Sequence, residues 1–221
     1  PFADGIHEPG MTQLRLPLGL PEPRDAEFLV SDANARAVQQ LDRWGAWPVM
    51  AALLVGPRKS GRSLLARIFT AKTDGMMIDD AERVAEADIF HAWNEAQARR
   101  HPLLIIADAP PPLWSIRLPD LRSRMMATPV LTIDPPDDML MGQLLARFFD
   151  RRLLVPAPDL IPWLVSRVER SYVALVRIAD TLEDDAASRG TARLSIRAAK
   201  GTLENAGLLP RPEPEAFSET P

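Results

Sequence analysis

Four short apolar runs punctuate the first two thirds of the chain: Val49–Val55, Met76–Ile78, Leu103–Ile106 and Pro129–Ile133. Each is continuous rather than alternating, the pattern of strands buried on both faces of a parallel sheet. Helical spacing fills the gaps, over Ser63–Ala71, Glu86–Arg100 and Leu118–Met126. Ahead of the first run, Ser31-Asp32 caps a predicted helix from Asn34 to Trp44. This alternation predicts a doubly wound α/β sheet over residues 25–136. The pattern changes near Pro135-Pro136. Helical patterns at Met139–Phe149, Asp159–Val168, Tyr172–Glu183 and Ser195–Glu204 then follow with no strand signal between them. They predict a small all-helical domain over residues 137–206.

The two ends read differently. Residues 1–10 precede Met11 without periodicity and are expected to be a disordered leader outside the fold. Residues 207–221 are rich in Pro and Glu and are expected to be a frayed tail. Between leader and sheet, Gln13-Leu14-Arg15-Leu16-Pro17-Leu18 is followed by Gly19, Pro21 and Pro23. Such spacing of Pro and Gly forbids a helix and predicts an extended, exposed segment over residues 11–24.

Composition narrows the function classes. An apolar fraction of 46% in 221 residues supports a packed core with a small satellite domain. The net charge of −4 gives no footprint for wrapping DNA, so a nucleic-acid role is expected to be local or indirect. With no cysteine, disulfides, zinc-thiolate sites and thiol nucleophiles are excluded together. The histidines His7, His91 and His101 are too scattered to predict a metal site. The longest apolar run is far too short to cross a bilayer, so no membrane partner is expected.

The sharpest motif is Gly56-Pro57-Arg58-Lys59-Ser60-Gly61-Arg62-Ser63, which fits the phosphate-loop pattern with Arg62 where lysine is standard. A buried strand enters it and a helix leaves it. Glycines let successive backbone N–H groups curl towards a phosphate, the helix start adds positive potential, and Ser63 is positioned to ligate magnesium. Arginine keeps the charge of lysine but is longer and planar, which suits phosphate holding more than fast hydrolysis. The second run ends in Asp79-Asp80, where such proteins hold magnesium and polarise water. Asp79 is the candidate metal-side carboxylate and Asp80 the water-side one. Asp108 ends the third run and faces the same crevice; a loop-capping aspartate is the alternative there.

On these residues the chain resembles the DnaA/Hda family of AAA+ proteins, over about residues 13–205. The extended segment is similar to the hexapeptide by which family members and other clients dock on the DNA sliding clamp. In that scheme Leu16 and Leu18 fill an apolar pocket, Gln13 hydrogen-bonds at its rim, and Leu14 and Pro17 complete the peptide. The Gly-Arg-Ser end of the phosphate loop is similar to the variant in the regulatory branch of the family. Leu118-Pro119-Asp120-Leu121-Arg122-Ser123-Arg124 is similar to the segment preceding the fifth AAA+ strand, which makes Arg124 the implied arginine finger and Arg122 its neighbour. The resemblance implies an AAA+ P-loop sheet, reduced to four strands, with a small C-terminal helical lid. It further implies ADP or ATP with magnesium as cofactors, and the sliding clamp and DnaA as partners. DNA would be met indirectly through the clamp, in the cytoplasm. The implied activity is promotion, in trans, of hydrolysis of DnaA-bound ATP, so that replication initiation does not fire twice. A homodimer stays open.

Three departures from the family pattern stand out. Only 17 residues separate Gly61 from Asp79, so the usual second strand is expected to be missing. The position matching the family's sensor-two arginine is Val173. Three basic side chains, Arg58, Lys59 and Arg62, crowd the phosphate loop. These features keep a second reading open: a clamp-bound scaffold or adaptor with no arginine-finger chemistry.

Overall fold

The computed structural model describes residues 28–209. Helix α1 (Ala35–Asp42) leads through a short 3-10 turn into strand β1 (Ala51–Val55), and α2 (Arg62–Thr73) follows the phosphate loop. Then come β2 (Met76–Ile78), α3 (Glu86–Arg99), β3 (Leu103–Ala107), α4 (Pro119–Ala127) and β4 (Val130–Thr132). The four strands form one parallel sheet in the order β2-β3-β1-β4. β1 is central, with Leu53 opposite Ile105 on one side and Val130 on the other.

The continuous apolar runs explain the layers. In β1, Ala52 and Leu54 face one way with Leu104, Ile106 and Leu131, and pack under Leu65 and Phe69 of α2 and Leu41 of α1. Ala51, Leu53 and Val55 face the other way with Leu103 and Ile105, under Ile89 of α3 and Leu121 and Met125 of α4. Period-two alternation thus fills two cores from one strand. Burial on both faces holds fully only for β1 and β3. The outer strands depart from that expectation because each has a single neighbour: β2 is half-buried throughout and β4 exposes Val130 and Thr132. At three residues each they offer little edge to pair with another chain. The 17 residues between Gly61 and Asp79 hold only α2, a two-residue turn and β2, so no further strand lies between α2 and β2.

The lid is built from α5 (Asp138–Arg151), α6 (Leu160–Val165), α7 (Tyr172–Ser188) and α8 (Ile196–Asn205). Three of these start on side-chain caps: Asp137 accepts the N–H of Leu140 at 2.7 Å, Ser171 that of Ala174 at 3.0 Å, and Ser195 that of Ala198 at 3.3 Å. Phe149, Leu145, Leu164, Leu175, Ile178 and Leu203 form the lid's own core. One feature corrects the expectation of no strand between these helices. Val155–Pro156 (β5) and Arg193–Leu194 (β6) make a two-residue parallel ladder, too short to leave a hydrophobic period in the sequence. Tyr172, the first residue of α7, ties the lid to the segment after β4: its hydroxyl donates to the Asp134 carbonyl at 3.1 Å. Burial, with help from the nearby charges of Asp137 and Asp134, pushes the Tyr172 hydroxyl up to about 12.

Candidate functional site

The phosphate loop leaves β1 at Gly56, where a Cβ would stand 2.8 Å from the Ile133 carbonyl oxygen, so only glycine lets the loop pass β4 so closely. It ends at Gly61, whose φ of +86° is the left-handed conformation that glycine adopts freely, and α2 starts at the next residue. Ser60 between them is only 6% exposed, and its Oγ has no hydrogen-bond partner among the described residues. Burying a hydroxyl unsatisfied costs on the order of 1–3 kcal/mol.

The loop has two sides with different chemistry. On the sheet side, Arg62 turns towards the end of β3: it donates to the Ala107 carbonyl and, at 2.7 Å, to Asp108 Oδ1. Arg58 takes the other oxygen, with Nε and Nη2 at 3.2 and 3.0 Å from Asp108 Oδ2. The hydrogen bond from Arg62, reinforced by Arg58, holds the Asp108 carboxyl below the usual carboxylate range. Arg58 is raised in turn, chiefly by Asp108, with smaller help from Asp80 and Glu82. Glu82 also accepts the Asp108 backbone N–H. Asp108, the candidate crevice residue, is therefore an internal anion that engages two of the three loop cations.

Asp79 and Asp80 sit past the end of β2, exposed, with Asp79 Oδ1 accepting the Asp80 N–H at 3.0 Å. Ser63 lies one residue into α2. Among the described residues no three His, Cys, Asp or Glu side chains converge as a metal site. Ser63 and Asp79 are hard oxygen donors, a set that suits a cation carried in by phosphates rather than one held by the protein alone.

On the other side, Lys59, Ser60 and Gly61 open into a cleft of about 310 Å³ between the loop, the start of the described chain and the lid. Phe28, Phe148 and Tyr172 give it aromatic walls, and Leu64, Leu140 and Leu144 an apolar floor. Its cations are Lys59, Arg67 of α2, and Arg147 and Arg151 of α5, and among the described residues no acidic side chain lines it. Such a cleft suits an anionic ligand with a flat apolar part. Sequence reasoning missed Arg67, Arg147 and Arg151, which read as solvated helix positions. The available signal was their spacing, since Leu140, Leu144, Arg147, Phe148 and Arg151 share one stripe of α5.

Arg124 is half-buried on α4. Its guanidinium lies 4.3 Å from the Phe90 ring centroid and 4.6 Å from that of Trp93, and it donates to Asn94, all on α3. Arg122, two residues earlier, is exposed beside a groove lined by Trp114, Pro119 and Met126. In the lid, Val173 is 40% exposed at the start of α7, and Arg170 pairs with Asp138 at 2.7 Å. The candidate clamp peptide, Gln13, Leu14, Leu16, Pro17 and Leu18, lies outside the described residues.

No protein-family model and no curated protein matches the chain. Solved structures do. Domain III of the Thermotoga maritima replication initiation protein DnaA is similar with a TM-score of 0.68 and 14% identity, covering 87% of this chain and 100% of that one. A replication initiator DnaA bound to AMPPCP and single-stranded DNA gives 0.55 and 13%, over 83% and 67% of the two chains. Thermotoga maritima RuvB, as its R170A variant, gives 0.58 and 12%, over 81% and 70%. These likenesses are to the fold: a DnaA-like AAA+ α/β module, with a four-stranded parallel sheet and a C-terminal helical lid.

Proposed function

We propose that this chain is an AAA+ negative regulator of DNA replication initiation that docks on the DNA-loaded sliding clamp and promotes hydrolysis of DnaA-bound ATP in trans. The observation that carries the reading is the basic, aromatic cleft between phosphate loop and lid, lined by the Ser60 whose hydroxyl is unpartnered among the described residues. ADP or ATP would place phosphates at residues 56–63 and its base between the aromatic walls. Bound magnesium would neutralise phosphate charge, with Ser63 and Asp79 as its protein ligands and Asp80 beside them. In this scheme residues 25–136 form the nucleotide-binding unit, residues 137–206 the lid, and residues 11–24 the tether that presents Gln13, Leu14, Leu16, Pro17 and Leu18 to the clamp. The likeness of the fold to DnaA supports an AAA+ interface between the two proteins, across which Arg124 supplies positive charge to the partner's phosphates. The locked pairing of Arg58 and Arg62 with Asp108 argues for weak or no hydrolysis by the chain itself.

A second reading is favoured by one observation: Arg124 is stacked on Phe90 and Trp93 rather than projecting into solvent. The chain would then be a clamp-bound scaffold or adaptor without finger chemistry. Phosphate release from DnaA carrying labelled ATP, with clamps loaded on DNA, separates the two. Acceleration by the wild type, lost in Arg124→Ala and in Gln13→Ala/Leu16→Ala, supports the regulator. Clamp binding with no acceleration by the wild type overturns it in favour of the adaptor.

A further inference from the structure

We propose that Asp108 is a latch on the phosphate loop: its carboxylate holds Arg58 and Arg62, and a ligand's phosphate binds these arginines only by displacing it. This rests on the loop holding a nucleotide and adds what the phosphates compete with. The sheet puts the partners side by side. Register pairs Val55 of β1 with Ala107 of β3, so Asp108, the next residue, stands beside Gly56, where the loop begins. Arg62, the first residue of α2, holds the place at which phosphate loops present a cation to phosphate. Its guanidinium is turned to the sheet instead: Nη1 donates to the Ala107 carbonyl and Nη2 to Asp108 Oδ1 at 2.7 Å. Arg58 donates from Nε and Nη2 to Oδ2, so one carboxylate commits both oxygens to two cations of the loop.

Three features separate a latch from an ordinary surface ion pair. The carboxylate is fixed, because the Asp108 N–H donates to Glu82 on the short turn after β2. The pairing is open to exchange: the Arg58 side chain is 63% exposed and that of Asp108 44%, so a phosphate reaches them without unpacking a core. The loop also calls for a ligand, since the Ser60 hydroxyl, buried two residues before Arg62, has no partner among the described residues. Carboxylate and phosphate oxygens offer the same acceptor geometry to a guanidinium fork, so the two compete for Arg58 and Arg62. The chain therefore binds phosphate less tightly than it would with the carboxylate removed, and opening of the latch is work that ligand binding has to do.

Equilibrium binding of ATP and of adenosine to the full chain, by calorimetry, tests this. Asp108→Asn keeps the shape and removes the charge. It is expected to tighten ATP binding by about 3- to 10-fold, the scale of exposed bidentate ion pairs, and to move adenosine by less than about 2-fold. Asp108→Glu restores the competing charge and brings ATP affinity back towards wild type. In an Arg58→Gln/Arg62→Gln background the same Asp108→Asn change gains less than about 2-fold, because no guanidinium remains to release. If the wild type binds ATP but Asp108→Asn binds it no more tightly, or gains as much without the two arginines, the latch is overturned and the nucleotide reading stands. If neither the wild type nor Asp108→Asn binds ATP, both fall. Should Asp108→Asn melt early, NMR of the wild-type Arg58 Nε–H, which donates to Asp108, decides. Saturating ATP shifts that signal and adenosine does not; a signal unmoved by ATP overturns the latch.

Discussion

Replacing Arg124 by alanine tests whether a residue placed for chemistry in trans is also part of the fold. The side chain spans from α4 to α3, with its guanidinium over two rings at 4.3 and 4.6 Å and a hydrogen bond to Asn94. Each cation–π contact at a half-buried site contributes about 0.5–1 kcal/mol, and the charge-assisted hydrogen bond a similar amount after desolvation. The rings are adjacent and share one cation, so the sum is held to about 2 kcal/mol. For a chain of this size that lowers the melting temperature by about 4–8 °C. Arg124→Lys keeps the charge but not the flat stack, and is expected to lose about half as much. Arg122→Ala, at an exposed side chain for which the described residues show no hydrogen bond or ion pair, is expected to stay within about 0.5 kcal/mol of wild type. Thermal unfolding followed by circular dichroism measures all three. An Arg124→Ala protein that melts with the wild type refutes the stacking argument and leaves the side chain available to a partner. A drop on the expected scale means that any loss of DnaA-directed activity must be read at a temperature where the variant is folded.

Other expectations follow from the same geometry. The chain has a single tyrosine, so ultraviolet titration reads Tyr172 alone: a midpoint near 12 when folded, falling to about 10 in denaturant. Because the folded value is the higher one, this group's stabilisation is complete below about pH 10 and is lost as pH rises towards 12. Asp108 and Asp137 are both held below the usual carboxylate range, Asp108 chiefly by the Arg62 hydrogen bond, Asp137 because burial, which raises it, is outweighed by hydrogen bonds from the Leu140 N–H, the Ser31 side chain and the Ala33 and Met139 N–H groups together. Their stabilisation is therefore present above about pH 4 and lost on acidification; Asp137→Ala should remove the α5 cap, cost about 1 kcal/mol, and flatten the acid limb of a stability–pH curve. Phe149→Ala, at a fully buried position in the lid, should cost about 3–5 kcal/mol by denaturant unfolding. Gly56→Ala should cost about 1–3 kcal/mol through its clash with Ile133, while Gly45→Ala, with nothing within 4 Å, should be silent in the same assay.

What the sequence discloses depends on whether a feature is local. Ala51–Val55 and Leu103–Ala107 are legible because a strand buried on both faces must be apolar at every position, and the alternation with helices follows. The missing second strand is legible as simple chain length. The β5–β6 ladder is not, since two residues carry no period and the pairing is made by the fold. At the site, Gly56 and Gly61 announce a loop that needs close approach and a left-handed turn. The direction of Arg62, away from the cleft and onto Asp108, is decided by a carboxylate 46 residues on. Arg147 and Arg151 are not legible because a charged helix position ordinarily faces water, and only the lid's placement turns that stripe towards the cleft.

The central position of β1 also bears on how the chain is made. Its partner β3 leaves the ribosome about fifty residues after it, and β4 later still. At ordinary synthesis speeds the stretch Ala51–Val55 waits roughly 3–10 s with both edges unpaired and both faces apolar. The lid, by contrast, draws much of its core from helices near one another in the chain. During synthesis β1 is therefore exposed for longer before it can pair than the lid helices are before they can pack.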